Sequence, residues 1–276
     1  MSIQPSVTLN DGRSIPQFGL GVWQTPQDVA ADVVRTALEA GYRHVDTAAI
    51  YGNERGVGEG LRASGLPREQ VFITTKLWND RQGYDEALTA FDHSLERLGV
   101  DYIDLYLIHW PAPKRDRYAD AWRALVRIKE DGRARSIGVS NFKPHHLERI
   151  VGETGVTPAV NQVEVHPRWQ QRELREFNAR HGIATESWSP LGQGTLLSDP
   201  IIGRIAEKHG RTPAQVVIRW HLDSGLIVIP KSVTPSRIRE NIAVFDFQLD
   251  EDDMNAMARL DSPRGRIGPD PEHADF

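Results

Sequence analysis

Asp46, Tyr51, Lys76 and His109 are the residues in the first half of the chain whose types, taken together, suit proton delivery to a carbonyl oxygen. Three of them close short apolar runs: Arg-His-Val-Asp46, Phe-Ile-Thr-Thr-Lys76 and Tyr-Leu-Ile-His109. Tyr51 follows Asp46 in Thr-Ala-Ala-Ile-Tyr-Gly-Asn, just ahead of a helix that Asn53 is placed to cap. A phenol with its ordinary pKa near 10 is a reluctant acid at neutral pH. An ammonium about 4 Å away is worth roughly 4 kcal/mol at an effective dielectric of 20, or on the order of three pKa units before desolvation opposes it. Lys76 supplies that charge, Asp46 keeps the lysine protonated, and His109 can hydrogen-bond a carbonyl oxygen beside the phenol. Each residue alone has an ordinary structural explanation, since strand ends collect polar groups. Four complementary groups on adjacent strands favour the reduction of a C=O.

Such a set needs elements that bring three strand ends to one rim. Short apolar runs alternate with helical patterns: Leu20–Trp23 then Asp28–Ala40, Arg43–Asp46 then Asn53–Ser64, Val71–Thr75 then Tyr84–Leu98. The rhythm continues with Ile103–Ile108 before Tyr118–Glu130, Ser136–Val139 before Pro144–Glu153, Val160–Val163 before Arg172–His181, Ala184–Ser187 before further helices, and a last strand Leu226–Ile229. Eight strands alternating with helices predict an α/β fold, a (β/α)8 TIM barrel, whose catalytic groups sit at the C-terminal strand ends. Val7–Leu9 and Ile15–Gln17 around Asn10-Asp11-Gly12 predict an N-terminal β-hairpin plug. A chain of 276 residues suits one such domain over 1–276, with residues 261–276 as an irregular C-terminal tail.

Composition narrows the class further. A net charge of −5 offers no global attraction to nucleic acid or an anionic membrane, so an anionic ligand needs a local basic patch. With no cysteine there is neither a disulfide framework nor a thiolate site, which suits a reducing compartment and, with no signal-like start, a cytoplasmic, membrane-free protein. A dinucleotide grip of the Rossmann type is missing, because Gly56-Val-Gly58-Glu-Gly60 continues with Leu61 and follows no strand. Ile229-Pro-Lys231-Ser232-Val-Thr234-Pro235-Ser-Arg237 instead ends a strand and opens a helix, with Thr234 as N-cap and Pro235 at the first helical position. Its free N–H groups, Lys231, Ser232 and Arg237 make an anion site, or else a solvated basic helix start. Ser140, Asn141 and Gln162 end the fifth and sixth strands with the hydrogen bonds a carboxamide needs, and Trp188 ends the seventh with a flat apolar face. Trp23, Trp78 and Trp110 follow strands and could wall an apolar slot, with Tyr51 and His109 at its floor. The loop 111–120 is short and charged, and the tail lacks aromatics until Phe276, so the slot is expected to be open; Lys114, Arg115, Arg264 or Arg266 could attract carboxylated substrates.

The segments GYRHVDTAAIYGNE (41–54), TTKLWND (74–80), DLYLIHWP (104–111), IGVSNF (137–142) and IPKSV (229–233) resemble the aldo-keto reductases, in order, from Gly19 to Asn241. The compact loops and WSPLGQG (188–194) are most similar to the bacterial 2,5-diketo-D-gluconate reductase branch. The resemblance implies an NADPH-dependent reductase of small aldehydes, α-dicarbonyls and keto-sugars, acting as a monomer without a metal. It implies that Tyr51 is the acid, Lys76 its pKa modulator, Asp46 the supporting carboxylate and His109 the carbonyl orienter. NADPH/NADP+ would lie along Gly21, Val22, Ser140, Asn141, Gln162, Trp188, Ser189, Leu191, Gln193 and Gly194, with Lys231, Ser232, Val233, Arg237, Glu240 and Asn241 at the 2′-phosphate and adenine end. A non-catalytic NADPH-binding regulatory subunit and a metal-dependent barrel hydrolase using His44, Asp46, Glu164 and His166 are the alternatives.

Overall fold

The structure is a computed structural model, and it describes residues 4–274 and 276. β1 (Ser6–Thr8) and β2 (Ser14–Pro16) form an antiparallel hairpin in the register Ser6 to Pro16, Val7 to Ile15 and Thr8 to Ser14. Gly12 turns the chain at φ 81°. The pairing lies one residue earlier in each arm than the turn sequence suggests, because Leu9 N–H already donates to Arg13 O at 2.7 Å as part of the turn. Buried Leu9 and Ile15 pack with Leu105, Leu107, Val160 and Ile227, the apolar floor of the barrel, so the hairpin is the expected plug.

Eight parallel strands follow: β3 (Leu20–Gly21), β4 (His44–Asp46), β5 (Phe72–Leu77), β6 (Ile103–Ile108), β7 (Ala134–Ser140), β8 (Val160–Glu164), β9 (Ala184–Trp188) and β10 (Ile227–Val228). Each pairs with the next in chain order. Bridges Phe18 to Val228 and Gly21 to Lys231 join the two ends, so the sheet closes on itself and leaves no free edge. The last and first strands are shorter than the apolar runs predict. Pro230 has no N–H with which to extend β10, and after β3 the chain turns away through Gln24 at φ 56°. Closure also dictates Gly21, where a Cβ would lie 2.7 Å from Ile229 O.

The helices α1 (Gln27–Glu39), α2 (Glu54–Ala63), α3 (Tyr84–Leu98), α4 (Tyr118–Glu130), α5 (Pro144–Thr154), α6 (Arg172–Arg180), α7 (Pro200–His209), α8 (Pro213–Asp223) and α9 (Pro235–Ile242) ring the barrel, and α10 (Glu251–Ala258) leads into the tail. Each turns an apolar stripe inward, such as Val33, Val34, Ala37 and Leu38 of α1, or Ala121, Trp122, Leu125 and Ile128 of α4. Asn53 occupies the N-cap position of α2, yet its side chain makes no cap bond. It is fully buried instead, accepting from Thr47 Oγ1 at 2.8 Å and donating to the carbonyls of Val22 and Thr25, both at 2.9 Å. The loop after β3 is thereby tied to the loop after β4, and the competition between a surface cap and two buried carbonyls goes to the carbonyls. Thr234 likewise stands at the N-cap of α9 without a side-chain cap bond; its own N–H donates to Ser232 Oγ at 3.1 Å.

α2 lies so close to the end of α3 that a Cβ on Gly58 would sit 2.0 Å from Leu98 O. Gly58→Ala therefore forces the two helices apart and is expected to cost about 3 kcal/mol by overpacking. Gly152, inside α5 with open space around it, is the control: Gly152→Ala should stabilise by up to about 1 kcal/mol through helix propensity. Urea unfolding midpoints of the two variants, moving in opposite directions, check the packing.

Candidate active site

Asp46 ends β4, Lys76 lies near the end of β5, and His109 follows β6, so neighbouring strands set three groups side by side at the C-terminal rim. Tyr51 stands in a single 3-10 turn, Ala49–Tyr51, closed by Gly52 at φ 67° and held against the barrel by the buried Asn53. Lys76 is fully buried. Its Nζ donates to Asp46 Oδ1 at 2.6 Å and to Thr47 O at 2.8 Å, and lies 5.3 Å from the centroid of the Tyr51 ring. His109 meets the Tyr51 ring edge to face at 5.6 Å and the Trp78 ring at 5.2 Å.

Burial opposes every charge here, and the partners decide which survive. It would push the Lys76 ammonium down, but Asp46, Tyr51 and Glu186 together hold it above its ordinary value. The Tyr51 phenol is pushed up by burial, and Lys76 only partly offsets that rise. The expected net softening of the phenol is thus not present, since desolvation outweighs one ammonium. Burial, then the Lys76 charge, holds His109 well below the usual imidazole range, so the ring is neutral at physiological pH, and its Nδ1 has no partner among the described residues.

Glu186 is the residue that the sequence reading passes over. It sits mid-strand in β9, buried, two residues before Trp188 and on the same face. Gln162 Nε2 donates to Asp46 Oδ2 at 2.7 Å and to Glu186 Oε2 at 2.8 Å. Burial, followed by the nearby Asp46 charge, pushes the Glu186 carboxyl up to about 8. The available signal was a carboxylate in the middle of a strand otherwise without charge, which in a barrel lumen demands a partner.

Above these groups is a cavity of about 560 Å³. It gathers Gly21, Trp23, Asp46, Tyr51, Trp78, His109, Trp110, Ser140, Asn141, Gln162, Trp188, Ser189, Gln193 and Lys231. Val22 is in the core, while Leu191, Gly194, Ser232, Val233, Arg237, Glu240 and Asn241 lie outside that lining. Glu240 is already engaged, accepting from Thr212 Oγ1 at 2.8 Å. Asn141, at φ 64°, commits both N–H groups, to His109 O and Ser140 Oγ, and its oxygen accepts from Trp188 Nε1 at 2.8 Å, which leaves one lone pair for a carboxamide N–H. Its work is to fix the indole plane and the His109 backbone. Gln162 differs, because both its N–H groups serve carboxyls and its carbonyl oxygen remains for a donor in the cavity.

The slot is less open than expected. Ile267 and Gly268 N–H groups donate to the Glu164 carboxylate at 2.6 and 2.8 Å, which leads the tail back across the rim. Phe276 then stacks on Trp78 at 5.7 Å with planes 14° apart and meets Trp110 edge to face at 5.5 Å. An aromatic at the far end of an irregular segment thus becomes a wall. Of the basic residues considered for carboxylated substrates, Arg266 pairs with Asp270 at 2.7 Å and lies 4.9 Å from the centroid of the Trp169 ring. The four residues weighed as a metal set do not converge either. His44 faces Thr74 at 3.0 Å and Glu186 at 3.7 Å, Asp46 faces Lys76, and Glu164 is bound to His166 at 3.0 Å and to the tail.

Residues 16–262 match the family described as the Aldo/keto reductase family. The chain belongs to that family. It is 57% identical over 274 residues to an aldo-keto reductase of Mycolicibacterium smegmatis, covering 99% of each chain. It is also 57% identical to the methylglyoxal reductase DkgA of Yersinia pestis, over 99% of this chain and 98% of that protein, and 53% identical to the DkgA of Escherichia coli, over 96% of each. Its structure is similar to the crystal structure of Gox0644 without ligand, with TM-score 0.97, 57% identity and full coverage of both chains. A Gox0644 variant in complex with NADPH matches with TM-score 0.97 and 56% identity, again over the whole of both chains. As an aldo/keto reductase the chain is an oxidoreductase, and no helix among the described residues is long and apolar enough to cross a membrane.

The loop that carries Trp188 rests on His221, a buried ring whose Nδ1 lies 3.1 Å from Ser187 Oγ and whose Nε2 lies 3.3 Å from Pro190 O. Burial lowers this imidazole from 6.5 to about 3. The unfolded chain binds its proton near 6.5 and the fold refuses it, so the stability contributed is present above pH 6.5 and drains away as pH falls toward 3. His221→Gln should remove about 2 kcal/mol from the stability loss between about pH 6.5 and about pH 5, measured by urea unfolding against wild type.

Proposed function

We propose that this aldo/keto reductase uses NADPH to reduce small aldehydes, α-dicarbonyls such as methylglyoxal, and keto-sugars, with Tyr51 as general acid. One observation carries the reading: Asp46, Tyr51 and His109 line one cavity together with Trp188 and Gln162, and Lys76 lies buried behind them, paired with Asp46. Bound NADPH supplies the hydride. Neutral His109 takes the carbonyl oxygen by hydrogen bond and sets it beside the phenol. Burial keeps Tyr51 protonated at neutral pH, so the acid is in its giving form, and the Lys76 ammonium stabilises the phenolate left behind. Asp46 and Thr47 hold that ammonium in place, and water returns the proton to Tyr51. The residues fit the cofactor. The Gln162 oxygen suits the carboxamide NH2, Ser140 and the Asn141-anchored Trp188 suit the nicotinamide ring, and Gly21 has no side chain to crowd them. Val22, Ser189, Leu191, Gln193 and Gly194 would flank the pyrophosphate side. Lys231, Ser232, Val233, Arg237, Glu240 and Asn241 would take the adenine end, where Lys231 and Arg237 meet the dianionic 2′-phosphate that NADH lacks.

Trp23, Trp78, Trp110 and Phe276 leave room for compact substrates, in keeping with the methylglyoxal reductases among the relatives. Because the tail supplies a wall, we read residues 1–276 as one domain acting as a monomer, and its cysteine-free composition suits the cytoplasm. In this reading, NADPH and methylglyoxal mixed with the protein lose cofactor absorbance. Tyr51→Phe cuts turnover at least about 100-fold while NADPH still binds; full turnover in that variant would remove Tyr51 from the acid role. Arg237→Met raises the KM for NADPH about tenfold and leaves that for NADH unchanged; equal effects on both would move the 2′-phosphate elsewhere.

A further inference from the structure

Glu186 has no part in the proton path described above, yet it is a buried carboxyl two hydrogen bonds from the reacting groups. The amino group of Gln162 has two hydrogens, and they are divided between Asp46 Oδ2 at 2.7 Å and Glu186 Oε2 at 2.8 Å. We propose that Glu186 is a positioning residue: by sharing that amino group with Asp46, it keeps the Gln162 carbonyl oxygen turned to the cavity, where it accepts from the cofactor carboxamide. The inference rests on the cofactor reading of Gln162 given above. Without a second acceptor in the lumen, one N–H of Gln162 would be buried unpaired, and a flip of the amide would relieve it at the expense of the cavity-facing oxygen.

The geometry also assigns the proton. Glu186 Oε1 is buried and receives no hydrogen bond from the described residues, and His44 Nε2 lies 3.7 Å away. An ionised carboxylate there would waste an acceptor and stand beside the Asp46 charge, whereas a protonated Oε1 costs far less. The groups facing it are His44 and Asp46 on β4, Lys76 on β5 and Gln162 on β8, with the Tyr51 phenol beyond; its β10 neighbours, Ile227 and Val228, carry no charge. His44 is held neutral by burial, down to about 3, so it does not supply a counter-charge. Asp46 and Lys76 already neutralise each other, so a second ionised carboxyl leaves one uncompensated negative charge in the lumen. Burial and the Asp46 charge place its ionisation at about 8; above that, two like charges face each other across one amino group, and their repulsion loosens the shared hold on Gln162 and with it the grip on the cofactor.

Titrating NADPH against the quenching of protein fluorescence, from neutral pH to beyond the ionisation of Glu186, tests this. Wild type should show a rise in Kd with an inflection near pH 8 and, at neutral pH, an infrared band of a protonated buried carboxyl. Glu186→Gln, the isostere of the protonated acid, should lose both the inflection and the band. Glu186→Ala should bind NADPH about tenfold more weakly at neutral pH, with Glu186→Gln recovering most of that loss. Should Glu186→Gln retain the inflection or the band, or Glu186→Ala bind as tightly as wild type, the inference fails while the reductase reading stands. Wild type that neither binds NADPH nor consumes it with methylglyoxal overturns the reading of the site, and this inference with it.

Discussion

The Lys76 ammonium is held out of water at the mouth of the barrel, and its surroundings are arranged to keep it charged. An isolated buried cation costs several kcal/mol or loses its proton, so Asp46 Oδ1 at 2.6 Å and the Thr47 carbonyl are conditions for the charge to exist at all. Asp46 incurs a debt of its own, met by Gln162, which draws in Glu186. A chain of polar groups through the lumen follows from that one ammonium. It is tolerated because each member except Glu186 Oε1 and the Nδ1 atoms of His44 and His109 finds a partner among the described residues.

Those demands shape the elements around the lumen. Strand pairing in chain order places the ends of β4, β5 and β6 side by side, so acid, ammonium and imidazole meet without any long-range device. Tyr51 is different, since it stands on a loop and must be held from outside. The fully buried Asn53 does this by bonding Thr47 and two carbonyls of the preceding loop. Asn141 plays the matching part on the far side, fixing Trp188 and the His109 carbonyl together. Both are asparagines whose carboxamides donate twice and accept once, whereas a serine has one donor and an ionised aspartate none.

Strand ends were legible because a period of two, short apolar runs and a terminal polar residue form a local signal. The basic helix start at Lys231–Arg237 was legible for the same reason, from Pro235 at the first helical position. What escaped were partners distant in sequence. Asn53 and Thr234 read as caps because the sequence shows only the adjacent helix, while the carbonyls that claim Asn53 arrive from another loop. Phe276 read as the end of an irregular tail, and stacking on Trp78 made it a wall, since the distant Glu164 carboxylate turns that tail back and Asn79 Nδ2 holds the Phe276 carbonyl at 3.0 Å.

The sequence by itself determined the barrel, the plug and the four polar groups at the rim, because each depends on residue type and on spacing within one strand or turn. Tertiary structure alone decided the balance of charge: that the Tyr51 phenol is pushed up and not down, that burial and Asp46 raise the Glu186 carboxyl, and that Asn141 bonds Trp188. Desolvation depends on what surrounds a group on all sides, and no one-dimensional pattern records it.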